Sequence, residues 1–281
     1  MNTSELGPLL QRLGVHPSRK LGQNFLVDGN TLRLIVQAAA PVPGELLIEV
    51  GPGTGSLTAA LLAAGAEVIA IELDARLAAY LAEAYAAEPC CTLLHADACR
   101  VDYDELAAGR PWAVAANLPY AVSSVVLSRW LAAANRPTRL CLLLQLEMAE
   151  RLAAAPGTKA YGGLSVRTQA LYRVQLARRV PPSVFFPPPE VDSALVLLTP
   201  APGPAWSPAH WHAFGELVKI AFAQRRKMLA KLLRAHYPAD SVAAALAAAG
   251  VDPQARAEAL TVAQYITLFT ALAPPASDLG A

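Results

Sequence analysis

Asn117, Pro119 and Tyr120 stand together in AANLPYAVSS (115–124), directly after a short apolar run. A plain turn would use the same residues, since Asn and Pro are the commonest turn formers and Tyr is often half-buried. The trio could also do chemistry. An amide oxygen accepts an N–H, a proline fixes a turn while donating no competing N–H, and an aromatic ring offers a stacking face. The neighbouring polar groups decide between the two readings.

EVGPGTGSLT (49–58) follows one strand-like run and opens a helix-like one, so its glycines let the backbone approach a ligand while helix N–H groups face any anion. Gly51, Gly53 and Gly55 are spaced G-x-G-x-G behind Glu49, whereas a dinucleotide fingerprint needs G-x-G-x-x-G. The spacing resembles the methionine-end loop of S-adenosylmethionine enzymes more than a pyrophosphate clamp. The next strand ends in IELD, which places Glu72 where an acid takes ribose hydroxyls, in NAD and S-adenosylmethionine alike. Asp97, in HADA at the end of the third strand, can accept from the exocyclic amine of an adenine. Turn glycines, a capping acid and a turn Asp would each be ordinary alone. Three successive strand ends carrying the right group make coincidence a poor account.

NLPY at the fourth strand end then acquires a role. An exocyclic amine is a reluctant methyl acceptor because its lone pair is delocalised into the ring. A site for it must hold the amine in line with a sulfonium and favour pyramidal nitrogen. Asn117 can accept one N–H and the carbonyl before Pro119, that of Leu118, the other; Tyr120 can stack on a flipped base. No strong base is needed, because the amine acidifies as conjugation is lost, so positioning and electrostatics supply the rate.

These groups need a scaffold of alternating strands and helices, and the first two hundred residues provide one. ELLIEVG (45–51), EVIAIELD (67–74), CTLLHADA and PWAVAANLP read as strands. SLTAALLAAG (56–65), ARLAAYLAEAYAAEP and SSVVLSRWLAAA read as helices, the last capped by Ser123 or Ser124. This alternation predicts an α/β fold, a doubly wound parallel sheet covered on both faces. SALVLLTP (193–200) adds a late strand, and APGPAWSP (201–208) reads as a linker. Beyond it WHAFGELVKIAFAQRRKMLAKLLRAH, ADSVAAALAAAG and TVAQYITLFTAL predict a smaller all-helical domain, with PPASDLGA as a frayed tail. The expected division is 1–202, a catalytic cofactor domain, and 203–281, a helical domain.

Composition narrows the class. The 281 residues are 54% hydrophobic and 16% charged with a net charge of +1, which argues against disorder and favours no partner by itself. No run of 18 uncharged apolar residues appears, so no membrane span is expected. The N-terminal stretch lacks a basic flank and an apolar h-region, so a cytoplasmic protein is expected. Cys90, Cys91, Cys99 and Cys141 show neither C-x-x-C spacing nor a histidine cluster, so no metal is predicted and they read as small core residues. HPSRK (16–20), RVQLARR (173–179) and QRRKMLAKLLR (224–234) are basic patches; each reads as a solvated face unless an anionic partner claims it.

KLGQNFLVD (20–28), EVGPGTGSLT, IELD, HADA and NLPY occur in the order of the motif series of ribosomal RNA adenine dimethyltransferases, which the chain resembles. GTKAYGGLSV (157–166), FFPPPEVDSALV (185–196), FAQRRKMLAKLL (222–233) and ARAEALTVAQY (255–265) extend the resemblance across nearly the whole chain. The small-subunit branch is nearest. It implies dimethylation at N6 of two adjacent adenines near the 3′ end of 16S rRNA in an assembling small subunit, by a monomer using S-adenosylmethionine. It places cofactor contacts on Asn24, Leu26, Gly51, Gly53, Glu72, Asp97 and Asn117, and catalysis on Asn117, Leu118, Pro119 and Tyr120. A second stacking aromatic falls on Phe185. The basic run itself, through Arg225, Arg226, Lys227 and Lys231, is expected to contact RNA phosphates. Without the resemblance, Phe185 and Phe186 read as core. Ala121 and Val122 stand where the family commonly has Asn and Ile, and Leu146 where it has Lys, which bears on RNA contacts nearby.

Four other readings remain. A large-subunit rRNA methyltransferase would share the catalytic motifs, but the C-terminal QRRKMLAKLL and ARAEAL favour the small-subunit branch. A non-catalytic assembly or transcription factor on the same fold has no use for an intact NLPY. A nicotinamide dehydrogenase is disfavoured by the glycine spacing, and a purely structural helical protein does not explain polar groups at four strand ends.

Overall fold

The computed structural model describes residues 3–18 and 22–272. Arg19 and Lys20 of the first basic patch and the tail PPASDLGA lie outside these residues. In chain order the strands are β1 (Phe25–Leu26), β2 (Leu46–Val50), β3 (Glu67–Glu72), β4 (Cys91–His95), β5 (Trp112–Asn117), β6 (Leu140–Gln145), β7 (Tyr172–Val180), β8 (Phe185–Phe186) and β9 (Ser193–Pro200). The helices are α1 (Thr3–Arg12), α2 (Gly29–Ala39), α3 (Ser56–Ala63), α4 (Ala75–Ala84), α5 (Tyr103–Ala107), α6 (Ser123–Ala132), α7 (Leu146–Leu152), α8 (Gly163–Leu171), α9 (Pro208–Phe222), α10 (Leu229–Leu233), α11 (Ala239–Ala248) and α12 (Val262–Leu272).

Two compact units form. The first spans Met1–Ala149 and Gln175–Thr199, the second Glu150–Val174 and Pro200–Ala281. In the first, the strands order as β4-β3-β2-β5-β6-β9-β7. The five strands from β4 to β6 are parallel, as helical crossovers require, and β9 runs antiparallel to β6 from Leu140↔Leu198 to Gln145↔Ser193. Every residue of β2 is buried, the continuous pattern of a strand covered on both faces. Leu47, Val68, Ala113 and Leu143 pack with Ile35 of α2 and Leu57 and Leu61 of α3 in one core cluster. Asp28 caps α2 and Asp74 caps α4 through their side chains.

The second unit is helical. Phe214, Leu217 and Val218 of α9 pack with Leu229, Leu233, Val242, Leu246, Tyr265 and Phe269. Tyr161, Val166 and Ala170 join the same core. That is why 150–174 belongs to this unit, whereas the sequence reading placed everything before 203 in the first.

Several local expectations change. Segment 201–208 is not a free linker, because Trp206 packs against Trp211, Phe214 and Phe269 at ring-centroid distances of 4.8–5.5 Å. The helix expected through 224–228 breaks there: Met228 bridges to Arg256 and the Leu229 N–H donates to the Ala255 carbonyl at 2.9 Å, pulling the chain out of helix. The N-cap of α6 is Val122 without a side-chain bond; Ser123 instead donates to the Tyr120 carbonyl at 3.2 Å. RVQLARR lies in strand β7. Of the cysteines only Cys141 is buried, while Cys90 is exposed and Cys91 and Cys99 are half-buried. Among the described residues no helix is long and apolar enough to cross a membrane.

Candidate functional site

Ligands of open α/β sheets sit beyond the carboxyl ends of the strands. A cavity of roughly 250 Å³ lies there, and Asn24, Leu26, Gly51, Gly53, Glu72, Asp97, Asn117, Leu118, Pro119 and Tyr120 all line it. The structure thus brings every expected cofactor residue to one place, together with the whole NLPY turn.

Gly51 and Gly53 have φ of +71° and +60°, which a side chain adopts only with strain. A Cβ on Gly51 would stand 3.0 Å from the Pro119 ring, and one on Gly53 would stand 3.1 Å from the Phe25 ring. Glycine therefore lets the Pro119 and Phe25 rings pack directly against the loop backbone.

Glu72 is 6% exposed. One carboxylate oxygen accepts the Leu73 and Asp74 N–H groups, each at 2.9 Å, and the other accepts the Gly53 N–H at 3.1 Å. Burial raises its pKa, while these three backbone donors pull the other way. A carboxylate has roughly four acceptor positions, so the oxygen facing Gly53 keeps capacity for a ribose hydroxyl. Asp97 spends one oxygen on the Cys99 N–H at 2.9 Å, and its other oxygen lies 3.5 Å from the Arg100 guanidinium.

Asn117 is fixed by donating its side-chain N–H to the Asn24 carbonyl at 3.0 Å. This leaves the amide oxygen as acceptor, the polarity a target amine needs. The turn after it closes through the Val122 N–H on the Pro119 carbonyl at 3.1 Å. Tyr120 is held by a hydroxyl contact of 2.7 Å to Ser193, the fully buried first residue of β9.

The fit extends to the family. The chain matches the family described as ribosomal RNA adenine dimethylase over residues 16–274. It belongs to that family. Among family relatives, the ribosomal RNA small subunit methyltransferase A of Sphingopyxis alaskensis is 43% identical, covering 94% of this chain and 98% of that protein. The protein of the same name from Streptomyces coelicolor is 41% identical, covering 94% of both chains. Of solved structures, the 23S rRNA methyltransferase ErmE superposes with a TM-score of 0.68 at 28% identity, covering 89% of this chain and 99% of that one. A dimethyladenosine transferase from Plasmodium falciparum, 23% identical with a TM-score of 0.71 and covering 87% and 95%, shares the fold.

The family's second stacking aromatic does not reach the site here. Phe185 is 3% exposed, pairs with Leu26 in the β1–β8 ladder and packs in the sheet core, and it does not line the cavity. Phe185 thus stands in this structure where a core residue would. The cavity aromatics are Phe25 and Tyr120.

Sequence reasoning missed Glu49. It lines the cavity, is 2% exposed and accepts from the Thr58 hydroxyl at 2.6 Å. Burial, with Glu72 adding like charge, pushes its pKa up to about 8. The available signal was a lone acid at the end of an otherwise apolar strand. The remaining expected residues lie in the second unit. Arg225, Arg226 and Lys227 are exposed on the turn between α9 and α10, and Lys231 is exposed on α10. Arg225 donates to the Lys159 carbonyl at 3.1 Å. The basic run is therefore a turn, not the helix face expected.

Proposed function

We propose that this chain transfers methyl groups from S-adenosylmethionine to N6 of two adjacent adenines near the 3′ end of 16S rRNA, acting in the cytoplasm as a monomer on an assembling small subunit. The observation that carries this reading is the anchored Asn117 amide, with its oxygen left to accept, on the same cavity as the glycine loop and Glu72. When bound, S-adenosylmethionine supplies an electrophilic methyl group.

The chain's own residues do the rest. Glu72 holds a ribose, Asp97 accepts from an adenine amine, and the backbone at Gly51 and Gly53 lines the wall beside the sulfur-bearing end. Asn117 and the Leu118 carbonyl accept the two N–H groups of the target amine. They favour the pyramidal nitrogen whose lone pair can attack. Pro119 keeps a competing donor out of the turn, and Tyr120 stacks on the flipped base, with Ser193 fixing the ring. Such preorganised acceptors act mainly on the transition state. The helical unit, through Arg225, Arg226, Lys227 and Lys231, contributes affinity for rRNA phosphates.

A large-subunit reading draws on the likeness to ErmE, but the small-subunit relatives are more similar over nearly the whole chain. Labelled S-adenosylmethionine offered with unmethylated small subunits, large subunits and naked 16S rRNA decides the matter. We expect N6,N6-dimethyladenine at two adjacent positions on small subunits, located by primer extension. Label confined to large subunits would establish the other reading, and none anywhere would remove the activity.

A further inference from the structure

The patch RVQLARR has no part in the site described above. Its strand β7 is the last of the sheet, exposed along most of its length, and a cleft of roughly 400 Å³ separates its end from α2. Asp28, Asn30, Arg33, Gln37, Arg178 and Arg179 are among the polar groups that line it. We propose that this cleft is a second rRNA-binding site, in which Arg33 and Arg178 grip phosphates of the substrate RNA backbone. The proposal rests on the reading that rRNA is the substrate.

The geometry supports it from both walls. Strand alternation puts Arg178 on the same face as Val180, and Val180 packs in the core cluster that contains Ile35 of α2. Arg178 therefore stands on the helix side of the sheet, where α2 presents Arg33. Three guanidiniums face a single carboxylate in the lining. That carboxylate, Asp28, is engaged in capping α2, accepting from the Thr31 N–H and hydroxyl, each at 2.6 Å. Arg179 is paired with Asp192 through Nε at 2.7 Å. Arg33 and Arg178 are both exposed, and among the described residues neither stands within ion-pair distance of a carboxylate, although the Arg33 charge acts on Asp28 through space. The Arg33 guanidinium instead takes the neutral Asn30 amide oxygen at 2.5 Å.

A planar guanidinium fork matches a phosphate, and two of them on opposite walls suit a continuous backbone better than a small isolated anion. Charge on an edge strand also deters pairing with other strands. That role accounts for Arg178 but not for its counterpart on the facing helix.

The test uses full-length protein and unmethylated small subunits. Binding of wild type and the double variant Arg33→Gln, Arg178→Gln is measured across a salt series, with methyl transfer and calorimetry of S-adenosylmethionine alongside. We expect the log–log salt slope to flatten by about 0.7–0.9 for each phosphate that is no longer gripped. KM for subunits should rise several-fold, while kcat and cofactor affinity stay at wild-type values. An unchanged slope and KM would overturn the proposal and leave Arg178 as a guard of the sheet edge and Arg33 as part of a solvated helix face. If wild type binds subunits but methylates nothing, the proposed reaction fails, and the slope comparison still decides the cleft.

Discussion

Asn117 donates to the main-chain carbonyl of Asn24 at 3.0 Å, so the end of β5 and the loop before β1 are held together by one side-chain amide. The bond settles which atom of the amide is left for a ligand. It also couples the two ends of the expected cofactor site, because Asn24 lines the same cavity.

Asn117→Ala should therefore act chiefly on turnover. Losing one preorganised acceptor costs about 10²–10³-fold in rate. Asn117→Asp keeps an acceptor but cannot donate to Asn24, so it should fall between Ala and wild type. Single-turnover methyl transfer at saturating cofactor reads both. Wild-type rates for Asn117→Ala would dismiss it from the reaction.

Glu72→Ala removes the acceptor of three backbone N–H groups as well as the ribose partner. A hydrogen bond to a charged group is worth about 1.5–3 kcal/mol, so cofactor affinity should drop by at least that amount. Because the Gly53 loop loses its tether, thermal stability should drop too, while RNA binding holds. Calorimetry with S-adenosylmethionine is the check, and unchanged affinity would remove Glu72 from the site.

Glu49 gives a pH dependence with a definite sign. Its folded pKa, about 8, lies above the ordinary 4.5, so between those values the folded state holds a proton that the unfolded state has lost. Stability from this group is full below about 4.5 and falls as pH rises toward 8. Glu49→Gln, which keeps the shape and cannot ionise, should flatten that decline. At pH 8.5 it should be more stable than wild type by on the order of a few kcal/mol. Denaturant unfolding at pH 5.5 and 8.5 tests this; parallel losses in the two proteins would mean that Glu49 does not titrate across the range.

Much of this site was legible because its groups follow strongly apolar strands. The runs ending at Gly51, Glu72 and Asn117 declare themselves by near-continuous burial, and a polar residue at the end of each is conspicuous; the half-exposed β4 before Asp97 is a weaker signal. What escaped notice depends on tertiary pairing. Strand β7 exposes most of its residues, so it shows no apolar period and reads as a charged patch. The β1–β8 ladder pairs only two residues from each strand, too few to mark a sequence, yet that ladder is what buries Phe185. The break at 224–228 carries neither Gly nor Pro and arises from the bridge between Met228 and Arg256. Ser193 looks like an ordinary strand residue until the fold sets it against Tyr120.

That contact sharpens the last prediction. The Tyr120 hydroxyl meets Ser193 at 2.7 Å on a residue with no exposure of its own, so Tyr120→Phe loses an orienting hydrogen bond while keeping the ring. A typical intramolecular hydrogen bond is worth about 0.5–1.5 kcal/mol net, which sets the expected stability loss. Turnover should stay within a few-fold of wild type, because a stacking face remains. Tyr120→Ala removes the face itself, worth about 1–3 kcal/mol per base, and should leave little activity in a protein that still folds and binds S-adenosylmethionine. Ser193→Ala should behave like Tyr120→Phe, since each removes one side of the same contact, and the double variant should add little to either single loss. Methyl transfer to small subunits by the four variants is the measurement. If Tyr120→Phe were as inactive as Tyr120→Ala, the hydroxyl would be the working group and Ser193 would serve to orient its proton, not the ring.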